Sequence, residues 1–312
     1  MHRFGMDDQR RGAVRFARRW ALAATILIVM TPSFASTTVD VQLISEASGE
    51  KATSTPDGVV RLGWTRSDVR VVVDGAPLPP AAGLGSWAAF APMPNGAMVM
   101  GDTVVFEDEV DAAMDAAFAH GLNVTAIHNH FFYDTPKVYF MHIGGEGKPE
   151  DLASAVKAVW GAIRAVRARH AQPEIGFGGP APTADHVSSD AVATIVGKPA
   201  TDTQGVAKIT IGRTVSMSRM DVGASMGVTT WIAFAGSDAL ATADGDIVMA
   251  ANEVQSVLKA LRRANFHIVA LHNHMIETSP ALYFTHFWSK GSAADLARGF
   301  RAVLDAQEAA KH

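Results

Sequence analysis

Ala126-Ile127-His128-Asn129-His130-Phe131 is followed 144 positions later by Ala270-Leu271-His272-Asn273-His274-Met275. The same offset carries Trp87 to Trp231, Gly101-Asp102 to Gly245-Asp246 and Glu109-Val110 to Glu253-Val254. It continues through Pro136 and Pro280, Tyr139-Phe140 and Tyr283-Phe284, His142 and His286, and Asp151-Leu152 and Asp295-Leu296. No gap is needed from Trp87 to Leu152. One register held over that length is a duplication, and a period this long makes each unit a small domain rather than a solenoid repeat.

Within a unit, the apolar pattern predicts strands over 87–91 and 97–106, then a helix over 108–120. Asp108 is its expected N-cap, with Asn252 in the second copy, and Gly121 its C-terminal stop. Strands over 123–131 and 137–143 flank a turn at Asp134-Thr135-Pro136, and an amphipathic helix covers 149–170. The second copy repeats the order over 229–235, 246–250, 252–264, 266–275, 282–288 and 292–309. Two ββαββα units predict an internally duplicated α+β fold, most simply two like domains about a pseudo-twofold axis. Whether they share a sheet is left open by the pattern. The expected boundaries are a signal peptide at 1–35, a first unit at 36–170, a linker at 171–206 and a second unit at 207–312. The linker is rich in Gly, Pro, Ala, Ser and Thr, with a short helix expected near 190–197. Residues 36–68 are polar and poorly periodic, and no element is assigned there.

A hydrophobic content of 48% with 19% charged residues belongs to a globular chain with a core. Six arginines against two aspartates fall in residues 1–35, so the rest is more acidic than the net charge of −4 suggests. A mildly acidic body argues against nucleic acid as a partner. Arg15, Arg18 and Arg19 precede the apolar run Ala21–Met30, and Thr31 to Ala35 supply a breaker and small residues. That is the layout of a secretory signal cut after Ala35, and it predicts a periplasmic or secreted protein without a membrane span after cleavage. The apolar run is short for a retained anchor. Arg18-Arg19 is a poor match to a twin-arginine signal. The chain has no cysteine, which excludes disulfides and thiolate ligands and leaves nitrogen and oxygen donors for any transition metal.

Strand residues two apart share a face, so His128 and His130 point one way, as do His272 and His274. If residue 128 pairs with 140, His142 lies on that same face; a slip of one residue would turn it away. Three converging imidazoles suit a divalent transition metal, with Zn favoured and Cu second. Of twelve histidines, His128, His130, His142, His272, His274 and His286 are the six retained at the 144 offset. The plainer account is a polar strand end inherited by both copies for packing. The letters HNH also name a nuclease motif, but that motif needs a basic surface. Glu109 and Glu253, each at the start of a helix, answer either to the helix dipole or to a role as ligand, imidazole partner or general base for metal-bound water. Asp102 and Asp246, each after a glycine, read as turn residues. The expected function is an exported metal-binding protein. The alternatives are a metal-dependent hydrolase using Glu253 or Glu109, and a cell-envelope module whose histidines bind a small ligand without metal.

In these residues the chain resembles the LppY/LpqO-like family of bacterial exported proteins, a family whose domain is of unknown function. The resemblance rests on Glu253-Val254, Ala270–Met275, Pro280, Phe284–Trp288 with His286, and the helix from Asp295 to Leu304, with their counterparts in the first copy. It implies an exported protein with a duplicated domain and no established chemistry. The family's lipoprotein anchoring does not carry over, because there is no cysteine to lipidate.

Overall fold

The computed structural model describes residues 38–311; the expected signal peptide, 1–35, lies outside them. Helix α1 (Val41–Ser48) fills part of the stretch left unassigned by periodicity, and its N-cap Asp40 accepts from the amides of Gln42 and Leu43. Then come β1 (Thr53–Ser54), β2 (Val60–Thr65), β3 (Val72–Val73), β4 (Ala76–Pro77) and a short α2 (Pro80–Gly83). The first repeat comprises β5 (Gly85–Met93), β6 (Gly96–Phe106), α3 (Val110–Ala119), β7 (Asn123–His128), β8 (Asp134–Thr135), β9 (Val138–Gly147) and α4 (Pro149–Arg169). Ahead of the second 144-offset block come α5 (Ser189–Val196), β10 (Ala200–Thr203), β11 (Val206–Gly212), β12 (Val215–Met217) and β13 (Met220–Val222). The second repeat comprises β14 (Thr229–Gly236), β15 (Ala241–Ala250), α6 (Val254–Arg263), β16 (His267–His272), β17 (Leu282–Gly291) and α7 (Ala293–Ala309).

The fold is α+β, and both repeats build one twelve-stranded antiparallel sheet rather than two separate ones. Its order is β1-β2-β5-β6-β9-β7-β16-β17-β15-β14-β11-β10, which reads the same outward from the centre in both halves. The central joint is β7 against β16, where Ile127 pairs with Leu271, its own counterpart at the 144 offset. Both side chains are buried in the main core.

Alternation along the strands decides which face each residue serves. Val99, Val105, Met141 and Ile143 meet the α3 and α4 residues Met114, Val156 and Trp160, and Ile247, Met249 and Phe287 meet Leu258, Leu261 and Phe300. Trp160 Nε1 reaches Thr103 Oγ1 on this face at 3.3 Å. The opposite face carries two smaller apolar clusters. Val104, Phe106, Val138 and Phe140 pack with Val69, Val71 and Leu84, near the three-stranded sheet β4-β3-β8. Val248, Leu282 and Phe284 pack with Val215, Val222 and Val228 around the β12-β13 hairpin. Covered on both sides, the ends of β6 and β15 are buried over consecutive residues instead of every second one.

Helix α3 begins at Val110, and its flanking residue is Glu109, without a side-chain cap. Asp108, expected as the N-cap, instead pairs with Arg167 and accepts from the Glu174 amide. Asn252 likewise donates to the Ala310 carbonyl. Among the described residues no helix is long and apolar enough to cross a membrane.

Candidate metal centres

Each histidine cluster sits on the face away from the large helices, beside one of the smaller apolar clusters. His128 ends β7 and pairs with Phe140, the register on which the convergence of the three imidazoles depended. His142 pairs with Ala126 on one side and with Asp102 on the other. The Nε2 atoms of His128 and His142 are 3.0 Å apart, and His142 Nε2 lies 3.8 Å from Asp102 Oδ1. Strand β7 stops at His128, so His130 is not carried by it as the alternation argument assumed. The chain turns, and the His130 ring lies on Phe140 at 3.3 Å between centroids, 5.1 Å from the His128 ring.

The second repeat reproduces this. His272 pairs with Phe284, and His286 with Asp246. His274 stacks on Phe284 at 3.5 Å, with its Nε2 3.4 Å from Asp246 Oδ2. The His272 and His286 rings are 4.9 Å apart. Donor atoms of Asp246, His272 and His274 all fall within 4.8 Å of one another.

Asp102 and Asp246 are therefore strand residues inside the clusters, not turn residues. The glycine before each has a packing reason. A Cβ at Gly101 would sit 2.9 Å from the Trp87 carbonyl oxygen and 3.0 Å from Ile143 Cγ1. At Gly245 it would lie 2.4 Å from the Trp231 oxygen and 2.5 Å from Phe287 Cζ. The sequence signal for the aspartates was their retention at the 144 offset beside an invariant spacing to the histidines.

Electrostatics hold two of the imidazoles neutral, while the buried aspartate takes a proton more readily unless a cation faces it. Burial pushes the Asp246 carboxyl up, although His286, His274 and His272 pull it back. Burial also lowers His274, against the pull of Asp246 and with the help of His272 and His286. His130 is lowered by burial and by the neighbouring His128 and His142, against Asp102. Imidazoles held neutral are in the form that donates to a metal. Asp102 Oδ1, Asp246 Oδ1 and His272 Nε2 are shielded from solvent with no hydrogen-bond partner among the described residues, which a folded chain tolerates where an ion completes the site.

Glu109 and Glu253 are not part of these clusters. Glu109 is fully buried, accepts from Arg66 through two 2.8 Å hydrogen bonds and from the Phe106 amide at 2.9 Å, and forms an ion pair with Arg167 at 2.7 Å. Phe106 is four residues along β6 from Asp102, roughly 13 Å at a strand's rise per residue. Glu253 accepts from Arg213 at 2.5 Å, the Ala250 amide at 2.9 Å and Gln307 at 3.0 Å. Burial alone would raise Glu253, but those bonds outweigh it and hold the carboxyl below its ordinary value. A carboxylate so occupied is a poor general base.

Residues 42–162 and 190–306 match a family described as Domain of Unknown Function (DUF1259), one match per repeat. No curated protein matches the chain. A solved trimeric bacterial microcompartment shell protein, PduB, aligns at 11% identity over 80% of this chain and 89% of its own, with a TM-score of 0.19. An overlap that low carries no argument.

Proposed function

The chain belongs to the family described as Domain of Unknown Function (DUF1259), and for this member we propose an exported metal-binding protein that holds one divalent transition metal in each repeat. His128, His130, His142 and Asp102 form the first site, and His272, His274, His286 and Asp246 the second. The observation that carries this reading is the pair of shielded, unpartnered atoms Asp246 Oδ1 and His272 Nε2 within one cluster of donors. Nitrogen and carboxylate donors in fours suit Zn first and Cu second. Asp246, His272 and His274 already converge, and His286 as a fourth donor would fill a tetrahedral shell, the arrangement of storage or structural binding rather than of hydrolysis at an open position. The hydrolase alternative also lacks its base, since arginines occupy Glu109 and Glu253. A pocket of about 270 Å³ lined by His272, Asn273, Met275 and Tyr283 gives the second site a route to solvent.

The finer architecture belongs to the same reading: two ββαββα units about a pseudo-twofold axis at the β7–β16 joint, supported by Ile127 opposite Leu271. Export to the periplasm or beyond, and kinship with LppY/LpqO-like proteins, rest on the N-terminal segment and the duplicated motifs. Elemental analysis of untagged protein purified from the periplasm tests the function. Two equivalents of metal are expected, falling to one in His128→Ala and one in His272→Ala. A metal-free wild type that takes up neither Zn²⁺ nor Cu²⁺ on titration would overturn it.

A further inference from the structure

On the helix-bearing side of the sheet lies a cleft of about 330 Å³, walled by the first repeat, by β16 and by Glu174, Gly176 and Phe177 of the connecting segment. Its chemistry differs from that of the metal centres. Phe177 from the connecting segment stacks flat on His267, centroids 3.4 Å apart, and Tyr139 supplies a second aromatic surface in the cleft. Four carboxylates line it (Glu107, Asp108, Asp111 and Glu174), and among the described residues no lysine or arginine does.

Three of those carboxylates have partners. Asp111 accepts from Arg262 at 2.7 Å and from His267 Nδ1 at 2.5 Å. Asp108 pairs with Arg167, and Glu174 with His170 at 3.3 Å. Glu107 takes no hydrogen bond or salt bridge among the described residues. Lys137 acts on it only at longer range and is itself bonded to Asp134 at 2.9 Å. Glu107 is exposed at the mouth of the cleft, and partial desolvation, with Asp134 and Asp108 nearby, pushes its carboxyl up against the pull of Lys137.

We infer that this cleft binds a small organic cation with an apolar or aromatic body, its ammonium group on Glu107 and its body against Phe177 and Tyr139. Aromatic faces attract a cation through the ring quadrupole, and a carboxylate at the rim supplies the opposite charge. An anion would meet the unpaired Glu107 and no lysine or arginine in the lining. A bare metal ion would leave the aromatic walls unused. The volume lies at the lower end of small-molecule sites, as a ligand of this kind requires.

Calorimetric titration of the full-length protein with phenethylamine, agmatine and choline tests the inference, with phenylacetate and Ca²⁺ as controls. At least one of the three cations binds at millimolar concentration or better, and phenylacetate binds at least about tenfold more weakly. Glu107→Gln and Phe177→Ala each weaken the bound cation about tenfold or more, while His272→Ala binds it as wild type does. Binding by none of the three, equal binding of phenylacetate, displacement by Ca²⁺ or indifference to Glu107→Gln would each overturn it. Because the His272→Ala arm leaves the cleft intact, the result stands or falls apart from the metal reading.

Discussion

Ile127 and Leu271 hold the same place in the two repeats, and they face each other as register partners at the middle of the sheet. That single relationship fixes where the two histidine clusters lie. Each cluster is centred one strand outward from the joint, on β9 and on β17. Three strand spacings separate those strands, about 14 Å, far more than the roughly 4 Å of a two-metal cluster. Two Cu²⁺ ions loaded into the protein should therefore give electron paramagnetic resonance spectra of weakly interacting ions, and one site should fill normally when the other is removed. A strongly exchange-coupled pair would contradict this.

Asp246 belongs with His272, His274 and His286, and Asp102 with the first set. Asp246→Asn should weaken metal binding at the second site at least about tenfold and leave the first unchanged, with Asp102→Asn doing the converse. Competition titration against a chromophoric chelator measures both. Wild-type affinity in Asp246→Asn would remove the aspartate from the ligand set.

The Arg66–Glu109 pair is wholly buried, and removing Arg66 leaves the buried carboxylate with Arg167 as its one remaining arginine. Arg66→Met should destabilise the protein by about 1–3 kcal/mol in urea unfolding, without lowering metal content. The double variant Arg66→Met, Glu109→Gln should regain much of that loss, since neither charge is then left alone. Loss of metal in a folded Glu109→Gln protein would return the glutamate to the metal site.

Glu253 is held below its ordinary value of 4.5, so the folded state binds its proton less readily than the unfolded state does. The stability it supplies is present above pH 4.5 and is lost as pH falls through the lower, folded value. Glu253→Gln should be less stable than wild type at neutral pH, and the gap should close on acidification. Denaturation midpoints at neutral and acidic pH check this; a gap that widens in acid would reverse the sign.

The duplication was legible because identical spacing needs no structure, and the six histidines stood out because they alone kept the offset. Short-range turn and strand patterns placed most elements to within a few residues. The helix N-caps were misread because Asp108 and Asn252 have partners, Arg167 and Ala310, that lie 59 and 58 residues away. Asp102 and Asp246 were visible as retained residues yet read as turns, because the Gly-Asp pair looks the same whether the glycine makes a bend or a close strand contact.

By itself, then, the amino-acid sequence determined the repeat, its period and the lack of cysteine sulfur, and it singled out the six imidazoles that keep the offset. Tertiary structure alone decided that the repeats share one sheet, that an aspartate joins each cluster and that arginines take the glutamates. Those outcomes depend on strand register and on partners such as Arg66 and Glu109, which are 43 residues apart and tied only by folding. Local pattern records which face a side chain takes, but what it meets there is set by the neighbouring strand.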